Sequence, residues 1–289
     1  DLLSGFTQDS SVLHPSCAKR ASKRQCTMNE LYSKYRKRGV FRKEQVVKDF
    51  PNLNANALNI KLRDAKQRSR VIKSISGSRG IYFIVEPGGD YKKAVADANK
   101  LAANIAPGAI ICYASALSFH GKSHSIHNIF YISAEQRFRD LRYNGVRYQY
   151  ATLSHRDLSI EDIPYKGITI RVTSLERTMV DCLRNMKYAG GFEQLFRSFE
   201  GVQYVNTKKV EECLTKFSSP VLNARVGLFL EFFKARWEVD DAVINRIHRR
   251  VPANPDYFLG RNIKSGRLIS KWNLIVPEDV LMLGGYHVG

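Results

Sequence analysis

The chain contains no run of about 18 or more apolar residues, so it carries no membrane-spanning helix of ordinary length. Its first residues lack the basic-then-apolar pattern of a secretory signal, and a cytoplasmic location with no membrane partner is expected. Cysteine is sparse. Cys17, Cys26, Cys112, Cys182 and Cys213 are odd in number and never spaced C-x-x-C, which argues against a zinc ribbon and a disulfide framework and suits reduced thiols. No G-x-x-x-x-G-K-[ST] loop, no G-x-S-x-G elbow and no E-x-K tripeptide occurs. The usual signatures of phosphate cradles, α/β-hydrolases and Mg²⁺ nucleases are therefore missing, and no cofactor or metal is indicated. Acids are scarce too: 27 Asp and Glu face 46 Lys and Arg, leaving a net charge of +19. Cations held against phosphates release condensed counterions, so this surplus suits a polyanionic partner, with nucleic acid the first candidate and an anionic membrane surface the second.

What is present divides unevenly. With 289 residues, 44% of them hydrophobic, two cores are expected. Residues 1–27 are Ser-rich and without periodicity and are expected to form a poorly ordered basic extension carrying Lys19, Arg20, Lys23 and Arg24, with the folded unit opening at Met28. Residues 28–85 hold 14 Lys and Arg against 4 acids, more than half of the net charge. A helix is predicted over about Asn29–Arg38, stopping at Gly39. A second, over about Arg42–Phe50, is closed by Pro51. Asn54 caps a third that runs to about Ser69, whose Ala55, Leu58, Leu62, Ala65 and Ser69 share one narrow stripe. Two β-prone runs, Val71–Ile75 and Ile81–Val85, flank Ser76-Gly77-Ser78-Arg79-Gly80, a hairpin signal. Three helices and a hairpin in this span predict a winged helix-turn-helix over 28–86.

The face of the third helix opposite its apolar stripe carries Asn56, Ile60, Arg63 and Gln67, flanked by Asn59, Lys66 and Arg70. Asn and Gln can pair bidentately with adenine and Arg with guanine, and an aliphatic chain can cover a thymine methyl. Because recognition helices enter the major groove by their N-terminal half, Asn56, Asn59, Ile60 and Arg63 are expected on bases, with Asn54 at the helix start and Lys66, Gln67 and Arg70 toward the backbone. Arg79 at the hairpin tip, supported by Lys73, would reach phosphate or the minor groove.

Pro87-Gly88-Gly89 reads as a hinge before a larger α+β domain over 90–289. Helices are expected over Asp90–Asn104, Phe192–Phe199, Thr207–Phe217, Leu222–Trp237 and Asp240–Arg249, and strands over Asn128–Ser133, Val146–Leu153 and Ile168–Thr173. Thr173 and Glu176 have capping-box spacing. The whole chain is therefore expected to be α+β. Arg137, Arg139, Arg142 and Arg147 cluster between strands with Tyr143, Tyr148 and Tyr150 interleaved, a pattern suited to RNA or single-strand contact and equally to a sheet with one solvated face. Catalytic readings are weaker. His120, His124 and His127 lack a nearby acid and a helix to hold them. Asp181 and Glu193 are the only acids suggested for a nuclease centre, and Asp181 is expected to order Arg177 or a backbone amide. Ser115, Cys112 and Cys182 sit in apolar surroundings unsuited to a nucleophile.

The Gly80-Ile81-Tyr82 wing strand, the SAL-x-x-HG segment (Ser115 to Gly121), the S-x-ERT-x-VDCL helix (Thr173 to Leu183), Gly190-Gly191 and the late Trp272-Asn273-Leu274 resemble the AbiEi-type abortive-infection antitoxins over about residues 28–280. The resemblance implies an antitoxin of a type IV toxin–antitoxin system. Its winged helix would repress its own operon at inverted repeats in double-stranded DNA. Its C-terminal domain would counteract a nucleotidyltransferase toxin without needing a stable complex. It implies no catalytic residues. The N-terminal extension and the Lys/Arg load depart from the family pattern.

Overall fold

The computed structural model describes residues 30–126, 128–260 and 266–285, and the protein is a mixed helix-and-sheet, α+β structure. The basic extension expected over 1–27, the start expected at Met28, and His127 lie outside the described residues.

The basic N-terminal part begins with α1 (residues 30–35). Gly39, at φ +75°, donates its N–H to Tyr35 O and turns the chain. Then follow β1 (Val40–Arg42), α2 (Lys43–Asp49), α3 (Ala55–Gln67), β2 (Ile72–Ser74) and β3 (Ile81–Ile84). The three strands form an antiparallel sheet in the order β1-β3-β2. Strand β1 was not expected, and Arg42 belongs to it rather than to α2. Val-Phe-Arg is too short to show alternation and becomes a strand by pairing with Ile81–Phe83.

This small sheet is apolar on both faces. Phe41, Ile72, Tyr82 and Ile84 face Leu31, Tyr35, Val46, Leu58, Leu62 and Ala65 from the helices. Val40, Ile75, Ile81, Phe83 and Val85 belong to a second core with Leu101, Ile105, Ile132, Leu141 and Tyr148, from beyond residue 90. The exposed segment Pro87-Gly88-Gly89, expected as a hinge, thus joins two parts that share one buried interior.

The larger part is built on a six-stranded sheet in the order β6-β7-β5-β4-β9-β8. Its strands are β4 (Ile110–Ile111), β5 (Ile129–Ser133), β6 (Leu141–Tyr143), β7 (Val146–Tyr150), β8 (Ile160–Tyr165) and β9 (Ile168–Thr173). Period-two alternation sends neighbouring residues to opposite faces. Ile110 joins the helical side and Ile111 the side shared with the small sheet. Helices α4 (Ala98–Asn104) and α5 (Ala114–Phe119) precede and interrupt the sheet. After it come α6 (Leu175–Arg184), α7 (Phe192–Glu200), α8 (Thr207–Phe217), α9 (Pro220–Phe232), α10 (Lys234–Trp237) and α11 (Asp241–His248). The chain closes with β10 (Asp256–Tyr257), β11 (Arg267–Ile269), β12 (Leu274–Val276) and α12 (Glu278–Leu283).

Three expectations change. The helix expected over Asp90–Asn104 is confined to α4, because the Lys73 ammonium takes the carbonyls of Tyr91, Lys92 and Ala94, and Asp97 caps the helix by accepting from Lys100 N. The helix expected over Leu222–Trp237 is two, broken at Phe233, whose ring stacks on Trp237 at 4.4 Å. The cap of α6 is Ser174 rather than Thr173. Ser174 accepts from Arg177 N, whereas the Thr173 hydroxyl bonds Thr178 and Glu176 accepts from Asn206 N.

Candidate nucleic-acid interface

Helix α3 starts where Asn54 Oδ1 accepts the N–H of Ala57 at 2.8 Å. Leu58, Leu62 and Ala65 are buried beneath it, while Ala55 at its start is exposed and Ser69 lies past its end. Asn54 therefore has a structural task. Asn54→Ala should cost about 1 kcal/mol in thermal or denaturant unfolding, while Asn54→Ser should be nearly neutral because it keeps the cap.

The opposite face of α3 is open. Asn56, Asn59, Ile60, Arg63, Lys66 and Gln67 are all exposed. Ile60 is 49% exposed and borders a shallow apolar hollow with Leu31, Leu53 and Ala57. Among the described residues, no side-chain hydrogen bond or ion pair engages Asn56, Arg63, Lys66 or Gln67. Asn59 accepts from Lys43 Nζ at 2.8 Å, which brings a cation of α2 onto the same face. Lys43 was not among the residues expected here. It reaches Asn59 only because β1 and the hairpin set α2 against α3, a relation that local spacing does not carry. Arg70 is exposed at φ +54°. The Tyr91 hydroxyl shares its proton between the carbonyls of Lys66 and Ile72, closing the end of α3 from the far side of the 87–89 connector.

The hairpin turn is held in place. Gly77 and Gly80 have φ near +80° (79° and 77°), as the turn requires. Gly80 O accepts the N–H of Lys43 at 2.7 Å. A Cβ on Gly77 would lie 3.1 Å from Leu141 Cδ1, so the turn packs against β6. Arg79 is exposed beside it. Lys73 points elsewhere. With three backbone carbonyls around its ammonium and the Tyr91 ring at 5.5 Å, it ties the strand to residues 91–94.

The four arginines of the second cluster separate. Leu141 and Tyr148 pair across β6 and β7 and are buried, so Arg142 and Arg147, also paired in register, project from the other face. Arg147 is bonded to Asp140 by Nε at 3.0 Å and by Nη2 at 2.5 Å. Arg137 lies 6.0 Å over the Tyr150 ring. Arg139 stands apart from these three. It lines an open cleft of about 490 Å³ together with Gly77, Ser78, Arg79 and Leu141.

The groups weighed for catalysis have other partners. Asp181 is buried, and Arg177 Nε donates to it at 2.8 Å. Glu193 is on the surface. His120 Nε2 bonds Thr173 O at 2.9 Å. Ser115 Oγ accepts from Tyr131 N and donates to Ile129 O, stitching α5 to β5. Burial pushes the thiols of Cys112 and Cys182 well up, so both are protonated at neutral pH. Among the described residues, no three His, Cys, Asp or Glu side chains gather as for a metal ion. No described helix is long and apolar enough to cross a membrane.

The motifs behind the family resemblance are packing elements. Trp272 is buried against Gly227, and its Nε1 donates to Glu231 at 2.6 Å. The helix from Leu175 to Leu183 is buried almost throughout. No protein-family model matches the chain, and no curated protein matches it.

Proposed function

We propose that this protein is a duplex-DNA-binding repressor of winged helix-turn-helix type, with α3 as the recognition helix and the β2–β3 hairpin as the wing. The observation that carries this reading is the open face of α3. A helix whose inward side is a three-residue apolar stripe presents Asn56 and Arg63 outward with no side-chain hydrogen bond or ion pair among the described residues, beside a half-exposed Ile60. Amide, guanidinium and aliphatic groups at one-turn spacing match the donors, acceptors and methyl groups of the major groove. A solvated surface face would rather hold charged pairs. Among the described residues the ion pairs of α3 are Lys61 with Glu30 at 2.6 Å and Asp64 with Arg68, just past the helix end, at 3.5 Å, and neither engages Asn56 or Arg63.

The resemblance of the Ser115–Gly121, Thr173–Leu183 and Trp272–Leu274 segments to AbiEi-type antitoxins extends the proposal. Under it, the DNA is the operator of the protein's own operon, with inverted repeats. The larger part would oppose a nucleotidyltransferase toxin encoded beside it, and catalysis would play no part.

The test is binding of the full-length chain to its own upstream DNA and to a scrambled duplex over a salt series. Arg63→Ala should cost about 1–3 kcal/mol on the upstream DNA alone, whereas Lys66→Ala should weaken both duplexes alike and lower the salt slope by about one. Identical effects of the two variants on both duplexes would remove α3 as the reading helix. Deleting residues 28–85 is not a usable control, because it strips the larger part of core residues such as Phe83.

A further inference from the structure

The cleft between the hairpin turn and β6 joins two cations that are 60 residues apart in sequence, Arg79 and Arg139. Neither side chain has a hydrogen bond or ion pair among the described residues. Of the nearby acids, Asp140 is held by Arg147 and Glu135 lies against Gly108, while Glu44 borders Gly80, next to Arg79. The walls supply Phe138, Ile81, Ile105 and Leu141, and the floor is fixed by the close approach of Gly77 to Leu141. Two unpaired guanidiniums across a preformed, partly apolar cleft form a fork for phosphate oxygens, which Arg binds bidentately.

Two hydrogen bonds link the rim of the cleft to the open face of α3: Lys43 Nζ donates to Asn59, and Lys43 N to Gly80 O, next to Arg79.

We propose that the Arg79–Arg139 cleft binds the phosphodiester backbone of the duplex engaged by α3, so that the larger part is itself a DNA-contacting element. The inference rests on the DNA-binding reading above and assigns it a second point of grip. A wing pinned in this way presents its arginine without the ordering cost of a free hairpin tip.

The experiment uses the full-length chain and two probes. The first is tripolyphosphate, followed through the Nε–H resonances of Arg79 and Arg139. The second is the upstream duplex in a salt series, with Arg139→Glu, Arg139→Lys and Arg63→Ala compared. Both arginine resonances should shift with tripolyphosphate. Arg139→Glu should weaken duplex binding roughly tenfold or more and reduce the salt slope by at least about one, with Arg139→Lys in between. Absence of any shift, together with unchanged duplex binding by Arg139→Glu, would overturn the cleft while a loss in Arg63→Ala kept the α3 reading intact. Shifts without duplex binding by the wild-type chain would overturn the DNA reading and leave the anion site standing. Arg139 is exposed and outside the core, so its variants fold normally and an altered affinity reports on the cleft.

Discussion

Phe83→Ala is expected to destabilise the chain by about 3–5 kcal/mol, the cost of truncating a fully packed aromatic side chain. Phe83 is 2% exposed and sits in the core shared by the small sheet and the larger part, with its ring edge-on to Tyr143 at 6.4 Å. Tyr143 in turn accepts the N–H of Ala96 through its hydroxyl, so the cavity would open between β3, β6 and the segment leading into α4. The more telling outcome is the shape of the transition. Because Val40, Ile75, Ile81 and Val85 lie in the same core, the wild-type chain should unfold in one step by calorimetry. Phe83→Ala should lower that single transition without splitting it. A variant that lost stability only in the α1–α3 region, with the larger part melting as in wild type, would show the two cores to be independent.

Arg177→Met should have an effect of similar size, about 3–5 kcal/mol, because removing one partner of a buried ion pair leaves the other charge uncompensated. Arg177 is wholly buried. It donates to Asp181, to the carbonyls of Ser154, His155 and Leu158, and lies 4.8 Å over the Phe217 ring. It therefore fixes the loop from Ser154 to Leu158 onto α6. Burial raises the Asp181 carboxyl above its ordinary range, against the pull of Arg177. In the variant that pull is gone and the folded-state pKa rises further. The folded protein then holds a proton that the unfolded chain releases, so stability falls as pH climbs from the ordinary carboxylate range through the raised value. The deficit relative to wild type should be smallest at acid pH, where Asp181 is protonated in both states. Adding Asp181→Asn should recover part of the loss at neutral pH, and failure to do so in urea unfolding would assign the cost to the three orphaned carbonyls instead.

These two residues also show where sequence reasoning reaches and where it stops. Asp181 was expected to order Arg177 or a backbone amide, and of the two it takes Arg177, one helical turn away. The burial that makes this pair consequential was not legible, because α6 is covered by elements distant in sequence, including Phe217 of α8. Helix α3 was legible almost residue for residue, through a capping Asn54, a stripe of Leu58, Leu62 and Ala65, and a polar opposite face. The expected outward residues are those that are exposed, since periodicity and capping are properties of the helix itself. Lys43 and Lys73 mark the opposite case. The first joins the α3 face and the second leaves the hairpin tip, each through contacts with chain far away in sequence. Strands β1, β4 and β6 escaped notice for the same reason, because two or three residues become a strand only when a partner supplies the ladder.

By itself the sequence determined the charge surplus, the lack of a long apolar helix, the α+β class, the polar outward face of α3 and the hairpin after it. All of these follow from composition or from short-range periodicity. The tertiary structure alone decided that the small sheet is buried on both faces, that the 87–89 connector spans a shared core, and that the four clustered arginines part company. Arg147 goes to Asp140, Arg137 to Tyr150, Arg142 to an outer face and Arg139 to Arg79. The reason is register. Which face a strand residue takes, and what stands opposite, depends on pairing chosen by packing over the whole chain.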